Sequence, residues 1–220
     1  MTSVPSGLRA LPPGRAGRIW LRRRLAVSQR GADLLDRKLR ILRVEQQRYR
    51  LLTQRTAAAW TDAHREAETW LLRAALVGGE RAIRLAADGT DAEVAITWTT
   101  TMGVIHPVRA TSEIPERQIT APTPDNTALV RAVAAYATAL RAAVEHAVAN
   151  AALRVVDAEV VSTRRRVRAI NDRWIPRLTE AQRVLQFALD EQEHDDGVRL
   201  RWAASHRRRN ATGPEGRRQP

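Results

Sequence analysis

The chain has 220 residues, no Cys and a formal net charge of +13, with 37 Lys and Arg against 24 Asp and Glu. The lack of Cys excludes a disulfide framework and a thiolate metal site, while the positive field favours acidic partners. Six Trp, two Tyr and one Phe are too few large side chains for the core of a compact globule of this length, so the composition points to long helices in an elongated arrangement.

Residues 1–14 hold three Pro and two Gly and are expected to be irregular. The first thirty residues carry seven Arg and no acid, which resembles a targeting segment in composition. These arginines run straight into a helical repeat, and the expectation is helix with no separate cleavable segment before it.

The first helix is expected over residues 15–78. Its apolar seam steps by four and three through Leu21, Leu25, Ser28, Ala32, Leu35, Leu39, Leu42, Gln46, Tyr49, Leu52 or Thr53, Thr56, Trp60, Ala63, Ala67, Trp70 and Ala74, a heptad pattern. Gly78 and Gly79 provide the stop. At 1.5 Å per residue the helix would be about 90 Å long.

Residues 79–124 change period and form a small β-containing insert. Residues 93–99, EVAITWT, alternate like a strand. Asp88-Gly89 signals a turn, Met102-Gly103 a turn or bulge, and Pro107, Pro115, Pro122 and Pro124 exclude a long helix.

A second helix is expected over residues 125–205, with Asp125, Asn126 or Thr127 as candidate N-caps. Its seam is read through Leu129, Val133, Tyr136, Leu140, Val144, Ala147, Ala151, Val155, Val156 and Val160. It continues through Thr163, Val167, Ile170, Trp174, Leu178, Ala181, Leu185 and Leu189. Spacings of eleven recur there, which favours a straighter path than the heptads of the first helix and leaves supercoil handedness open. Residues 206–220 are basic and turn-rich and read as a disordered tail. No uninterrupted apolar run approaches the roughly 20 residues of a membrane span.

Two helices separated by a compact insert bury both stripes by folding back on each other. The expected fold is therefore all-α, a long antiparallel two-helix coiled-coil hairpin about 100 Å long with a small β-hairpin between the helices.

Three stretches resemble the D subunit of the V-type and A-type rotary ATPases and ATP synthases. Residues 22–42, RRRLAVSQRGADLLDRKLRIL, carry its basic turn, Arg-Gly, Leu-Leu and Lys pattern at Arg30, Gly31, Leu34, Leu35 and Lys38. The insert has Met102, Gly103 and Val104 with Pro107, like the family's short hairpin. Residues 163–193 contain Arg165, Arg166, Val167 and the Ile-Pro-Arg-Leu around Pro176, followed by Leu-Asp-Glu. The resemblance covers roughly residues 13–202. Departures are Arg168 in place of an Asn, Asn171 in place of a Glu, and His194-Asp195 within the Glu-Arg alternation.

The resemblance implies a non-catalytic central rotor axle that couples ATP chemistry in a surrounding ring to rotation of a membrane ring and to proton or other ion transport. Implied partners are the catalytic and non-catalytic ring subunits, the small F subunit of the stalk and an adaptor to the membrane ring. The implied location is cytoplasmic and peripheral to the membrane, without direct insertion. The competing class is a stand-alone structural coiled coil, including one associated with nucleic acid.

Residue chemistry offers little for catalysis, and no cofactor is expected. Gly78-Gly79-Glu80-Arg81 lacks the Lys and hydroxyl of a phosphate-binding loop. Glu191, Glu193, His194, Asp195 and Asp196 read as a solvated helix end rather than a cation site, and His64 and His146 have no His partner at i+4. Arg164, Arg165, Arg168 and Arg173 spread around the helix. A solvated face competes there with contacts to acidic loops of a surrounding sleeve, as the resemblance implies. No aromatic-interleaved groove or reading module favours nucleic acid. Trp60, Trp70 and Trp174 read as packing, and Trp20 and Trp202 as a clamp where the helix ends meet. Ser28, Gln46 and Thr56 either fix register or are merely tolerated. Gly31 is a weak point or a close approach. Pro176, inside a helical pattern, predicts a modest bend supported by the partner helix.

Overall fold

In a computed structural model, residues 12–86, 91–114 and 126–211 are described. Helix α1 (Gly14–Ala86) is followed by strands β1 (Glu93–Thr101) and β2 (Val104–Glu113). After them come helix α2 (Thr127–Arg168), a π-helical segment (Ala169–Trp174) and helix α3 (Ile175–Ala211). The chain is thus two long helical stretches around a two-stranded antiparallel hairpin, the class expected from the sequence. It divides into two compact units, one of Met1–Leu35 with Arg166–Pro220 and one of Asp36–Arg165.

Within the second unit, α1 and α2 run antiparallel. Lys38 meets Glu159, Gln46 meets Asp157, Thr56 meets His146 and His64 meets Tyr136, so positions rise on one helix as they fall on the other. Leu39, Leu42 and Tyr49 of α1 pack on Ala152, Val156 and Val160 of α2 and on Val104 of β2. Burying each leucine stabilises this core by about 1.5–3 kcal/mol relative to exposure. The α2 stripe differs from the one read in sequence. Val133, Leu140 and Val155 are exposed, Leu129, Val156, Val160, Thr163 and Val167 are buried as read, and Ala132, Ala139, Val148, Ala149 and Ala152 are buried in addition. Small side chains let the helix backbones approach, and the bulkier valines and leucine turn outward. Trp60, read as seam, is 38% exposed at its edge.

Within the first unit, α1 again runs antiparallel to its partner. Arg15 bonds Glu193, Arg18 bonds Gln186 and Ser28 accepts from Trp174. Leu21 and Leu178 are fully buried, flanked by Trp20, Leu25, Trp174, Ala181 and Leu185. Trp20 and Trp202 form no clamp: Trp20 packs on that cluster, while Trp202 is exposed and stacks on His206 at 4.9 Å.

Several boundaries shift from expectation. Gly79 breaks α1 with φ 69°, but the helix resumes and ends at Ala86 rather than at the glycine pair. A Cβ on Gly78 would come 2.7 Å from Asn126 Nδ2, so the missing side chain permits that approach. Asn126 is the cap of α2, its Oδ1 accepting the Leu129 N–H at 2.8 Å. Helix α3 continues to Ala211 and takes in residues 206–211, which the sequence assigned to the tail. The Asp88-Gly89 turn, Pro115, Pro122, Pro124, Asp125 and residues 1–11 and 212–220 lie outside the described residues.

The hairpin turns at Met102 (φ 52°) and Gly103 (φ 78°), both left-handed, as a two-residue connection between right-twisted strands requires. Pro107 sits opposite Trp98, beside a register shift between Thr97 and Trp98. A ladder already interrupted there tolerates a residue without N–H.

Pro176 is accommodated by the backbone. The preceding segment is π-helical, and the Ile175 N–H donates to the Ile170 carbonyl five residues back. That wider turn relieves the crowding a proline ring imposes on the carbonyl one α-helical turn upstream. Pro176 itself is exposed, and its neighbours Trp174 and Leu178 pack with Trp20, Leu21 and Leu25 of α1. Support comes from Trp174 and Leu178 on either side.

Within the helical run Thr127–Arg208, one 18-residue window reaches a mean hydropathy of 1.3. By length and composition alone, one helix among the described residues could therefore cross a membrane. The expectation that no uninterrupted apolar run approaches a membrane span still holds, because the averaged window tolerates isolated charges.

Candidate functional site

The specific chemistry of the described residues lies where the helices and the hairpin meet. Lys38, the only lysine in the chain, places Nζ 2.7 Å from Glu159 Oε1, with both side chains about four-fifths shielded, at 21% and 23% exposure. The same carboxylate oxygen accepts from Thr163 Oγ1 at 3.2 Å, and Thr163 is fully buried. Two turns along, Gln46 Nε2 donates to Asp157 Oδ1 at 2.5 Å, and Arg50 lies 3.6 Å from the same oxygen. Asp157 and Glu159 are the only acids between Glu145 and Asp172, and both face α1.

The hairpin is tied down by His106, which is 1% exposed. Its Nδ1 lies 3.2 Å from Tyr49 Oη and its Nε2 3.2 Å from Thr101 Oγ1. The Tyr49 and His106 rings meet edge to face at 5.2 Å. Burial pushes the Tyr49 phenol above its ordinary value; Arg48 opposes this and Glu45 adds to it. Further along α1, the Trp60 ring stacks with His146 at 5.6 Å and with His64 at 6.3 Å. His146 Nδ1 also lies 3.2 Å from Thr56 Oγ1. In the other unit, Arg24 lies 5.9 Å from both the Trp20 and Trp174 rings. Trp174 Nε1 donates to Ser28 Oγ at 3.1 Å, and Ser28 donates to the Arg24 carbonyl.

All three polar seam residues, Ser28, Gln46 and Thr56, therefore reach a side chain on the opposite helix. Gly31 does not mark a close approach, since a Cβ there would meet nothing within 4 Å. Of the other seam residues, Leu21, Leu39, Leu42, Tyr49, Val160, Val167, Leu178 and Leu189 are buried. Leu25, Leu35, Ile170, Trp174 and Leu185 are half-buried. Arg30, Leu34, Met102, Arg166 and Pro176 are exposed, while Pro107 is buried in β2.

Arg164 and Arg165 in one unit, and Arg168 and Arg173 in the other, are all exposed. Glu193 and Asp196 pair with Arg15 and Arg199. No group of three or more His, Asp or Glu able to hold a metal occurs among the described residues. An open groove of about 470 Å³ near the hairpin end of α1 and α2 is lined by aliphatic side chains, including Leu71, Ile83, Leu129 and Leu140, and by Tyr136.

Sequence reasoning named Lys38 but missed its partner. Asp157 and Glu159 were findable as isolated acids in a basic, alanine-rich stretch, at the height an antiparallel register assigns to Lys38 and Gln46. The contact of Tyr49 with His106 carries no local signal, because it joins two elements 57 residues apart.

These observations define a two-helix coiled-coil protein whose specific contacts hold helix to helix and hairpin to helix. The family model for the D subunit of ATP synthase matches residues 18–205. The chain belongs to that family. It is 32% identical over 127 residues to the D subunit of the A-type ATP synthase of Methanopyrus kandleri, covering 57% of this chain and 54% of that protein. The chain thus spans about half the length of that relative. It is 28% identical over 195 residues to the D subunit of the A-type ATP synthase of Archaeoglobus fulgidus, covering 86% of this chain and 93% of that protein.

Proposed function

We propose that the chain is the central axle of a V/A-type rotary ATPase or ATP synthase, a non-catalytic part that couples ATP chemistry to rotation and ion transport. The observation that carries this reading is antiparallel helix pairing in both units of a chain belonging to the D-subunit family. An axle must transmit torque without unwinding. Interhelical contacts of specific partners, such as Lys38 with Glu159 and Trp174 with Ser28, resist slippage of one helix along the other.

Coupling requires the axle to bind each conformation of a surrounding ring with a different free energy. Arg164, Arg165, Arg168 and Arg173 are the candidate contacts, because exposed guanidinium groups form directional but breakable bonds with carboxylates. The partners in this reading are the catalytic and non-catalytic ring subunits, the small F subunit of the stalk and an adaptor to the membrane ring. The complex is peripheral to the membrane at this subunit, on the cytoplasmic side.

The chain has no Cys, so one introduced thiol is unique. With Arg168→Cys and a second cysteine on a ring subunit, the assembled complex should lose ATP turnover on oxidation and regain it on reduction. Failure of the chain to co-purify with ATPase ring subunits, or full turnover with the cross-link closed, overturns the proposal.

A further inference from the structure

Two irregularities stand at one height in the unit of Met1–Leu35 and Arg166–Pro220. On α1 it is Gly31, a residue that weakens a helix relative to alanine. A Cβ there would meet nothing within 4 Å, so no close packing calls for the glycine. On the partner stretch it is the π turn Ala169–Trp174, followed by Pro176, which offers no N–H to the carbonyls before it. Trp174 bonds Ser28, and Arg18 bonds Gln186. Moving up α1 from Ser28 to Gly31 therefore means moving back down the antiparallel partner from Trp174 to about Asn171, inside the π turn. Packing is thin at this height. None of Ala169–Trp174 is buried, and among residues 29–33 only Ala32 is, with a single methyl. The turns to either side are held: Leu21 and Leu178 are fully buried in one direction and Val167 is buried in the other.

We propose that Gly31 and the π turn form one joint, at which this helix pair bends and twists while the contacts to either side stay closed. Sharp bends in long helices gather at glycine, proline and π turns, and local opening follows low burial. An intact α-helix packed beside a lone glycine or a lone π turn would splint it. Here a permissive backbone on one helix faces a widened turn on the other, so neither splints its neighbour. The inference concerns the chain itself and goes beyond the axle reading; in an axle, such a joint is where twist collects.

Amide hydrogen exchange of the full chain tests it. Residues 29–33 and 170–175 should exchange together, at least about tenfold faster than residues 20–25 and 178–185. Gly31→Ala stiffens only α1 directly, yet it should slow residues 170–175 about fivefold along with its own turn. Pro176→Ala with Asn171 deleted takes out the extra residue that a π turn holds and keeps Leu178 facing α1. That variant should in turn slow residues 29–33. Spin labels give a second readout, since the chain has no other Cys. Labels at Arg168→Cys and Arg183→Cys, spanning the π turn, should give a broader distance distribution than labels at Arg177→Cys and Gln192→Cys, and Gly31→Ala should narrow only the first. Exchange no faster at the two stretches than beside them, variants that each slow their own helix alone, or equal widths for the two label pairs overturn the proposal. The Gly31→Ala result decides by itself if the deletion variant does not fold.

Discussion

Replacing Lys38 with Met tests whether the pair with Glu159 holds α1 and α2 in register. Exposed ion pairs contribute about 0.2–1 kcal/mol, and breaking a fully buried one costs about 3–5 kcal/mol. With each side chain about a fifth exposed and the contact at 2.7 Å, the cost should fall between, near 2 kcal/mol. Methionine keeps the aliphatic stem, so the loss reflects removal of the ammonium group from a shielded carboxylate that also accepts from Thr163. For a chain of this size about 1 kcal/mol corresponds to roughly 2–4 °C in Tm, so K38M should melt about 4–8 °C lower by circular dichroism. Lys38→Met combined with Glu159→Leu should recover part of the loss, because removing both charges removes the desolvation cost. The difference should survive about 0.5 M salt, which screens surface pairs strongly. A shift under about 1 °C, strict additivity in the double variant, or disappearance of the effect in salt would refute the reasoning.

Gly31→Ala should raise stability by about 1 kcal/mol, since the site is helical and open. Gly79→Ala should lower it by about 1–2 kcal/mol because φ is 69° there. Thermal melts of the two variants should move in opposite directions. Tyr49 has a phenol raised above 10.0 chiefly by burial. Its contribution is whole below that value and is lost as pH climbs toward the folded value, since the unfolded phenol gives up its proton first. Urea melts from pH 9 to 11 should show a decline that Tyr49→Phe reduces. Trp174→Phe removes the bond to Ser28 and leaves a smaller aromatic face beside Arg24, and should cost about 1–2 kcal/mol by chemical denaturation.

The seam of α1 was legible because its anchors are large and regularly spaced, as Leu21, Leu39, Leu42 and Tyr49 show. The same logic misled on α2. There alanines occur on every face, and the eye follows Val133, Leu140 and Val155, which the fold turns outward in favour of Ala132, Ala139, Ala149 and Ala152. Hydrophobicity marks a stripe only when small and large residues are segregated, and a close interface selects for smallness instead. Pro176 announced an irregularity but not its form. Whether a chain bends, or widens by one residue into a π turn, depends on where Trp174 and Leu178 must land on the neighbouring helix. Of the candidate sites, the polar seam residues were visible one by one, and their partners needed the register.

The placement of acids explains why so basic a chain presents arginine to its surroundings. Asp157 and Glu159 are held at the α1–α2 interface by Gln46, Arg50 and Lys38. In the other unit Glu193 bridges to Arg15. Those carboxylates are thereby committed, and Arg37, Arg55, Arg164, Arg165, Arg168 and Arg173 are all exposed. The field that results is sequence-wide in sign but local in use, because screening limits it to about 8–10 Å at ordinary ionic strength. Each exposed arginine therefore acts on what touches it. The protein's charge selects acidic surfaces at contact, and the interhelical acids keep that selection from collapsing inward.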